Sequence, residues 1–263
     1  MDYMTLIGMA LGLGAIGAEL HHNEMFGIIF NINAITLIYG GTMGSVCMSY
    51  PWSIVRNIPI GLYWTLFPPK HPGPQALIET MVELCRRAQA QGIESLGEYR
   101  GKVSHAFLDE AVRLMASGLD PDSVHEKLEE DISLTHQRHM RLAALFNSAG
   151  TYSPIFGLLG TLIGVVTVLR NISDPSQMGK SMALAMTASF YGIFSANFLF
   201  LPVAVKLRFL AEQETLAREL ISKGARSILR GDVPLVVAKK LENFLNHQMR
   251  KQQKRSGRAE AVA

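Results

Sequence analysis

Residues 151–169, "TYSPIFGLLGTLIGVVTVL", constrain this chain more than any other stretch. The segment is close to the roughly 20 mostly apolar residues that cross a bilayer, and it carries no charge. Yet Gly157, Gly160, Thr161 and Gly164 sit inside it at helical spacing. In a soluble helix each glycine costs about 1 kcal/mol relative to alanine, so something must offset the loss. In lipid, helices associate through close van der Waals packing, which small residues permit. A membrane helix pressed against another helix accounts for both features.

Composition supports this. Charged residues make up 18% of the 263-residue chain and hydrophobic ones 48%, against about a quarter charged in an ordinary soluble domain. Mean hydropathy is +0.18. All 25 Lys and Arg lie at Arg56 or later. Four spans are expected, at about 3–20, 32–50, 151–169 and 182–205, the first two short and rich in glycine. The segment after the first span has no Lys or Arg, and "RNISDPSQMGK" after the third has two. The segment 51–150 and the C-terminal region carry the rest, and cytoplasmic sides collect such residues. Both termini and the long central segment are therefore expected in the cytoplasm. The expected fold is all-α: a polytopic membrane protein with four transmembrane helices and a helical cytoplasmic domain. It divides as 1–50 (spans one and two), 51–150 (interfacial segment and helical domain), 151–205 (spans three and four) and 206–263 (helices and tail). The N-terminus lacks the basic region of a cleavable signal.

Small residues also pair at four-residue spacing at Gly8/Gly12 and Gly40/Gly44, with Gly41 beside the latter. In the fourth span Ser181, Ala185 and Ser189 form a stripe continued by Gly192 and Ala196. The plain reading is packing of the four helices within one chain. The sharper one, adopted as the expectation, places Gly157, Gly160 and Gly164 against sibling subunits and a partner helix.

Outside the spans, prolines at 59, 68, 69, 72 and 74 forbid one long helix over 51–74, and Trp52, Tyr63, Trp64 and Phe67 suit a membrane interface. A helix is expected from Gln75, with Leu77, Met81, Leu84 and Ala88 on one face and Gly92 as its stop. Another covers 104–118, with Ser104 as cap. Asp120 and Pro121 open a long helix reaching the third span. The region after Pro202 continues the fourth span as an amphipathic helix, and a short helix runs from Pro234 to about Met249. The basic tail 250–258 reads as a solvated terminus, and the net charge of +3 gives no reason to invoke nucleic acid.

No phosphate-binding loop, nucleophile elbow or zinc spacing is present, so no enzyme chemistry and no cofactor are expected. Cys47 and Cys85 form no disulfide framework. His21 and His22 fall in the first outer loop. His105, His125, His136 and His139 read as solvated helix faces, although the last two, three apart, stand at a spacing a metal could use. Charged groups inside membranes usually mark ion paths, and the third and fourth spans have none. They offer hydroxyls instead, which do not titrate near neutral pH. A carboxylate that carries protons is thus expected from a partner. Glu19 is the internal candidate, and its simpler reading is an interfacial group facing water.

Three segments carry a family resemblance: "MDYMTLIGMALGLGAI", "LIYGGTMGSVCMSYP" and "SPIFGLLGTLIGVVTVLRNISDPSQMGKSMALAMTASFYGIFSANFLFLPVAVKL". With them the chain resembles the MotA/PomA family of flagellar motor stator subunits, within the MotA/TolQ/ExbB superfamily. The resemblance implies an inner-membrane homopentamer around a dimer of a MotB/PomB-type subunit whose single helix carries an ion-binding aspartate. Ion flow would turn the ring and push the rotor protein FliG. It also implies ion-pathway roles for Thr161, Thr187 and Ser189, and conformational coupling at Pro154 and Pro202. Where the family has Thr-Thr before Leu-Tyr-Gly, this chain has Ala188 and Ser189 before "FYG", which tilts the expected coupling ion from sodium to the proton. The family's rotor-facing basic and acidic positions fall on Gln89 and Gly97, so a shifted contact through Arg86, Arg87, Glu94 and Glu98 is expected. The rival reading is an ExbB/TolQ-type energiser of outer-membrane processes, which looks like a three-span chain. A non-conducting scaffold is the alternative from another class.

Overall fold

The computed structural model describes residues 3–24, 26–69, 72–99, 101 and 105–245. Every regular element among them is helical. The chain divides into two compact units: Met1–Pro69 with Arg138–Leu210, and Lys70–Gln137 with Ala211–Ala263.

The first unit begins with α1 (Tyr3–His22), none of whose residues is buried, and α2 (Phe26–Ile29). The latter lies where the sequence suggested only a loop, and His21 and His22 belong to α1. Next come α3 (Ile32–Ile35), a π-helical segment (Thr36–Gly40) and α4 (Gly41–Ser49). Asn31 caps α3, its side chain accepting from the amides of Asn33 and Ala34, which satisfies two N–H groups a helix start leaves free. Two short helices follow, α5 (Trp52–Val55) and α6 (Ile58–Leu66). The unit then takes in part of α9 (Pro121–Arg170), α10 (Pro175–Phe194), a second π segment (Ser195–Phe200) and the start of α11 (Leu201–Leu229). Asp174 caps α10 by accepting from Ser176 and Gln177, ahead of a proline in its first turn.

One core of this unit joins Leu142, Leu145, Phe146 and Ala149 of α9 to Val203, Ala204 and Leu207 of α11, with Val46 and Val55. Gly61 of α6 lies so close that an added Cβ would stand 2.8 Å from Phe146 and 3.3 Å from Leu207. That packing assigns residues 51–69 to this unit. The compact units divide at 69/70, 137/138 and 210/211.

In the second unit, α7 (Pro74–Gln91) stops at Gly92, whose φ of 87° suits glycine. A 3-10 turn (Ile93–Tyr99) and α8 (Ala106–Met115) follow, and the unit closes with the rest of α9 and α11, then α12 (Pro234–Leu241) and a 3-10 turn (Glu242–Phe244). Leu77, Met81, Leu84, Leu108, Met115, Leu128 and Leu220 are among its buried core. Ser104, the basic tail and the expected helix end at Met249 lie outside the described residues.

Among the described residues, three helical runs are long and apolar enough to cross a membrane: Tyr3–His22, Pro121–Arg170 and Pro175–Leu229. The second expected span is helical but is not among them. Its glycines, threonines and serines dilute its apolar content.

Candidate functional site

The pairing of α9 with α10 is built from missing side chains. A Cβ added at Gly157 would stand 3.3 Å from both the Ala188 carbonyl oxygen and Gly192 Cα. One at Gly160 would come 2.5 Å from Ala188 Cβ, and one at Gly164 would overlap Ala185 and lie 3.1 Å from the Ser181 carbonyl oxygen. Gly192 answers from the other helix, with Ser153 O 2.8 Å from its own imagined Cβ. Ser153, fully buried, donates from Oγ to the Gly192 carbonyl at 3.1 Å. The two backbones approach closely, and a cross-helix hydrogen bond fixes their register. Gly157, Gly160 and Gly164, expected against sibling subunits and a partner helix, each meet α10 of the same chain. Gly41 packs against Phe156, whereas Gly40, Gly44 and Gly8 have open space where a Cβ would go.

Two of the hydroxyls expected on an ion path are turned back onto their own helices. Thr161 donates to its own helix at Leu158 O (2.7 Å), and Thr187 does so at Ala183 O (2.8 Å). Thr187 lines a groove of about 450 Å³ together with Leu20, Ile29, Met186 and Phe190, and Thr161 is not part of that lining. The backbone of Ser189 lies 3.4 Å from the space beside Gly157. Pro154 sits inside the unbroken α9. Pro202 lies two residues past the end of the second π segment, where wider helical turns accommodate its missing N–H. Glu19 is exposed and accepts from Asn23 Nδ2 at 2.9 Å.

Sequence reasoning missed a second set of contacts. Ser195, fully buried, donates from Oγ to the Tyr39 hydroxyl at 2.7 Å, so a hydrogen bond joins the two π segments. Its partners are 156 positions apart, and no local pattern announces the pair.

In the second unit, the four expected rotor-facing charges divide. Arg87 and Glu98 stand 3.9 Å apart, with Arg87 over the Tyr99 ring at 4.7 Å. Arg86 pairs with Glu83 instead, at 4.0 Å. Glu94 is exposed in the first turn after Gly92. Gln89 donates to the Asp232 carbonyl (3.3 Å), and Gly97 approaches Ala116. The histidines are engaged rather than merely solvated: His125 Nδ1 contacts Ser222 Oγ at 2.9 Å, His136 Nδ1 contacts Thr215 Oγ1 at 3.0 Å, and His139 stacks edge-on with Trp64. Among the described residues no cluster of His, Cys, Asp or Glu could hold a metal ion. Burial, with Asp232 nearby, pushes the Cys85 thiol above its ordinary pKa. The Asp122 carboxyl is held below its ordinary value by hydrogen bonds from Arg226 and the charges of Arg226 and Arg230. Lys240 acts likewise on Asp232, and amide and hydroxyl donors at Ser123 on Asp120.

These features define an all-helical protein with a glycine-packed helix pair of membrane length and a separately cored helical unit. Residues 100–220 match the profile of the MotA/TolQ/ExbB proton channel family. The chain is 31% identical over 250 residues to chemotaxis protein PomA of Vibrio alginolyticus, covering 95% of this chain and 98% of that one. It is 30% identical to motility protein A of Bacillus subtilis, over 93% and 91% of the two chains. A chain of the flagellar MotAB stator complex from Bacillus subtilis superposes with a TM-score of 0.88 at 28% identity, covering 95% of this chain and 99% of that one. The chain belongs to the MotA/TolQ/ExbB proton channel family.

Proposed function

We propose that this chain is the MotA/PomA-type subunit of a flagellar motor stator. The observation that carries this is the length of the likeness: both a PomA and a MotAB stator chain are matched almost end to end, through the membrane-length helices and the second unit alike. The chain is an ion-channel and motility component of the bacterial inner membrane. Four spans cross it, with α3, the first π segment and α4 as the second, and both termini face the cytoplasm. Five copies surround a dimer of a MotB/PomB-type subunit, and the second unit works on FliG.

The division of labour follows from the chemistry of the spans. Residues 151–169 and 182–205 contain no charged side chain, and hydroxyls do not titrate near neutral pH. The ion-carrying carboxylate therefore comes from the partner, and Thr161, Thr187 and Ser189 are hydroxyls this chain offers beside it. The coupling ion is the proton. Deletion of the gene, in a strain with no other stator, tests the reading. Full-length filaments that do not turn are the expected outcome, with complemented cells swimming at undiminished speed when sodium is replaced by potassium. Normal swimming of the deletion strain would overturn the stator reading. Loss of speed without sodium would overturn the choice of ion.

A further inference from the structure

A cavity of about 210 Å³ lies wholly within the first unit. Thr42 and Val46 of α4, Leu62 of α6, Phe146 and Ala149 of α9 and Phe200 of the second π segment contribute to its wall. The lining is apolar apart from two hydroxyls. That of Tyr39 is already engaged by Ser195. That of Thr42 is not: the residue is 2% exposed and its Oγ1 has no hydrogen-bond partner. A threonine within a helix ordinarily returns its hydroxyl to the carbonyl four residues earlier, as Thr36, Thr65 and Thr187 do here. Thr42 lies two residues past the end of the π segment Thr36–Gly40, where the carbonyl ladder is displaced from α-helical positions.

A buried hydroxyl without a partner is a standing cost that a bound group would remove. A single water would find only Thr42 and the Tyr39 O–H on this wall, the minimum of polar partners a buried water needs, and it would leave most of the 210 Å³ apolar space unfilled. Apolar cavities of about 150 Å³ take up benzene, and this one is larger. We propose that the cavity binds a small single-ring aromatic molecule bearing one hydroxyl: the ring lies against Val46, Leu62 and Phe146, and the polar group meets Thr42 Oγ1. The inference does not depend on the stator reading.

Titration of the full chain in lipid nanodiscs with 4-fluorophenol, followed by fluorine NMR against empty nanodiscs, tests this. The expected result is saturable binding of about one molecule per chain, beyond partition into lipid. Thr42→Val, close to isosteric, should weaken 4-fluorophenol about 2- to 12-fold, the worth of one net hydrogen bond, and leave fluorobenzene binding unchanged. Ala149→Phe should abolish binding of both by filling the space. Partition no greater than in empty nanodiscs overturns the proposal, as does unaltered 4-fluorophenol affinity in Thr42→Val. That near-isosteric variant decides the matter even if Ala149→Phe does not fold.

Discussion

At the scale of single residues, the glycines of the α9–α10 pair are fixed by distance rather than by conformational freedom. Gly160 is helical, yet an added methyl group would meet Ala188 Cβ at 2.5 Å and Leu37 Cδ2 at 3.1 Å. Overpacking of this kind costs about 1–3 kcal/mol. Gly160→Ala is therefore expected to lower the thermal stability of the purified protein, and Ala188→Gly in the same chain to restore part of it, since the two methyl groups compete for one space. Gly40→Ala, with open space at its Cβ, should change little. Equal losses at Gly40 and Gly160, or no rescue by Ala188→Gly, would show that the close approach is not what selects glycine. The presence of small residues was legible in the sequence, because glycines in a charge-free run demand a packing partner. Which partner was not legible: a spacing of four places residues on one face, but says nothing of whether the opposing helix belongs to the same chain.

At the scale of elements, the start of α9 and the end of α11 are tied by charge. Asp122 receives Arg226 Nη2 at 2.8 Å and Arg230 Nη2 at 3.0 Å, while Asp120 caps α9 through the amides of Asp122 and Ser123. Both carboxyls sit below their ordinary pKa in the folded chain. The unfolded chain then binds more protons than the folded one across that interval. Stability from these groups is complete above the ordinary carboxylate pKa and is lost as pH falls through the lowered folded values. The two side chains are solvent-exposed, so the effect is modest and salt-sensitive. Chemical denaturation of the full chain between about pH 5 and 3 should show a decline that is shallower in Asp122→Asn. An identical decline in the variant would assign the acid sensitivity elsewhere. The start of α9 was read from sequence, because Asp120 and Pro121 carry their capping chemistry locally, whereas α10 begins at Pro175, capped by Asp174, inside a stretch read as the loop between the third and fourth spans. The π segments were invisible. The contact between them, Ser195 to Tyr39, joins distant positions, and nothing local marks either residue. The engaged histidines were misread for the same reason: Ser222, Thr215 and Trp64 all come from other helices.

At the scale of the whole molecule, the proposed function has the second unit pass force to the rotor. The proposed contact rests on Arg86, Arg87, Glu94 and Glu98, which do not behave as four equivalent charges. Arg87 is held by Glu98 on one side and the Tyr99 ring on the other, with its side chain about one-third exposed. Glu98 is 70% exposed and free to meet a second partner. Two roles make opposite predictions. If the Arg87–Glu98 pair only braces the turn after α7, reversing both charges together rebuilds the pair and restores function. If the charges meet FliG, Arg87→Glu with Glu98→Lys presents the wrong sign at both positions and remains defective. Bead-tethered cells measured at high load should therefore show reduced torque for each single reversal and no recovery in the double variant, with unchanged membrane levels of the protein. Recovery in the double variant would reduce the pair to an internal brace and move the rotor contact to the remaining exposed charges, Arg86 and Glu94.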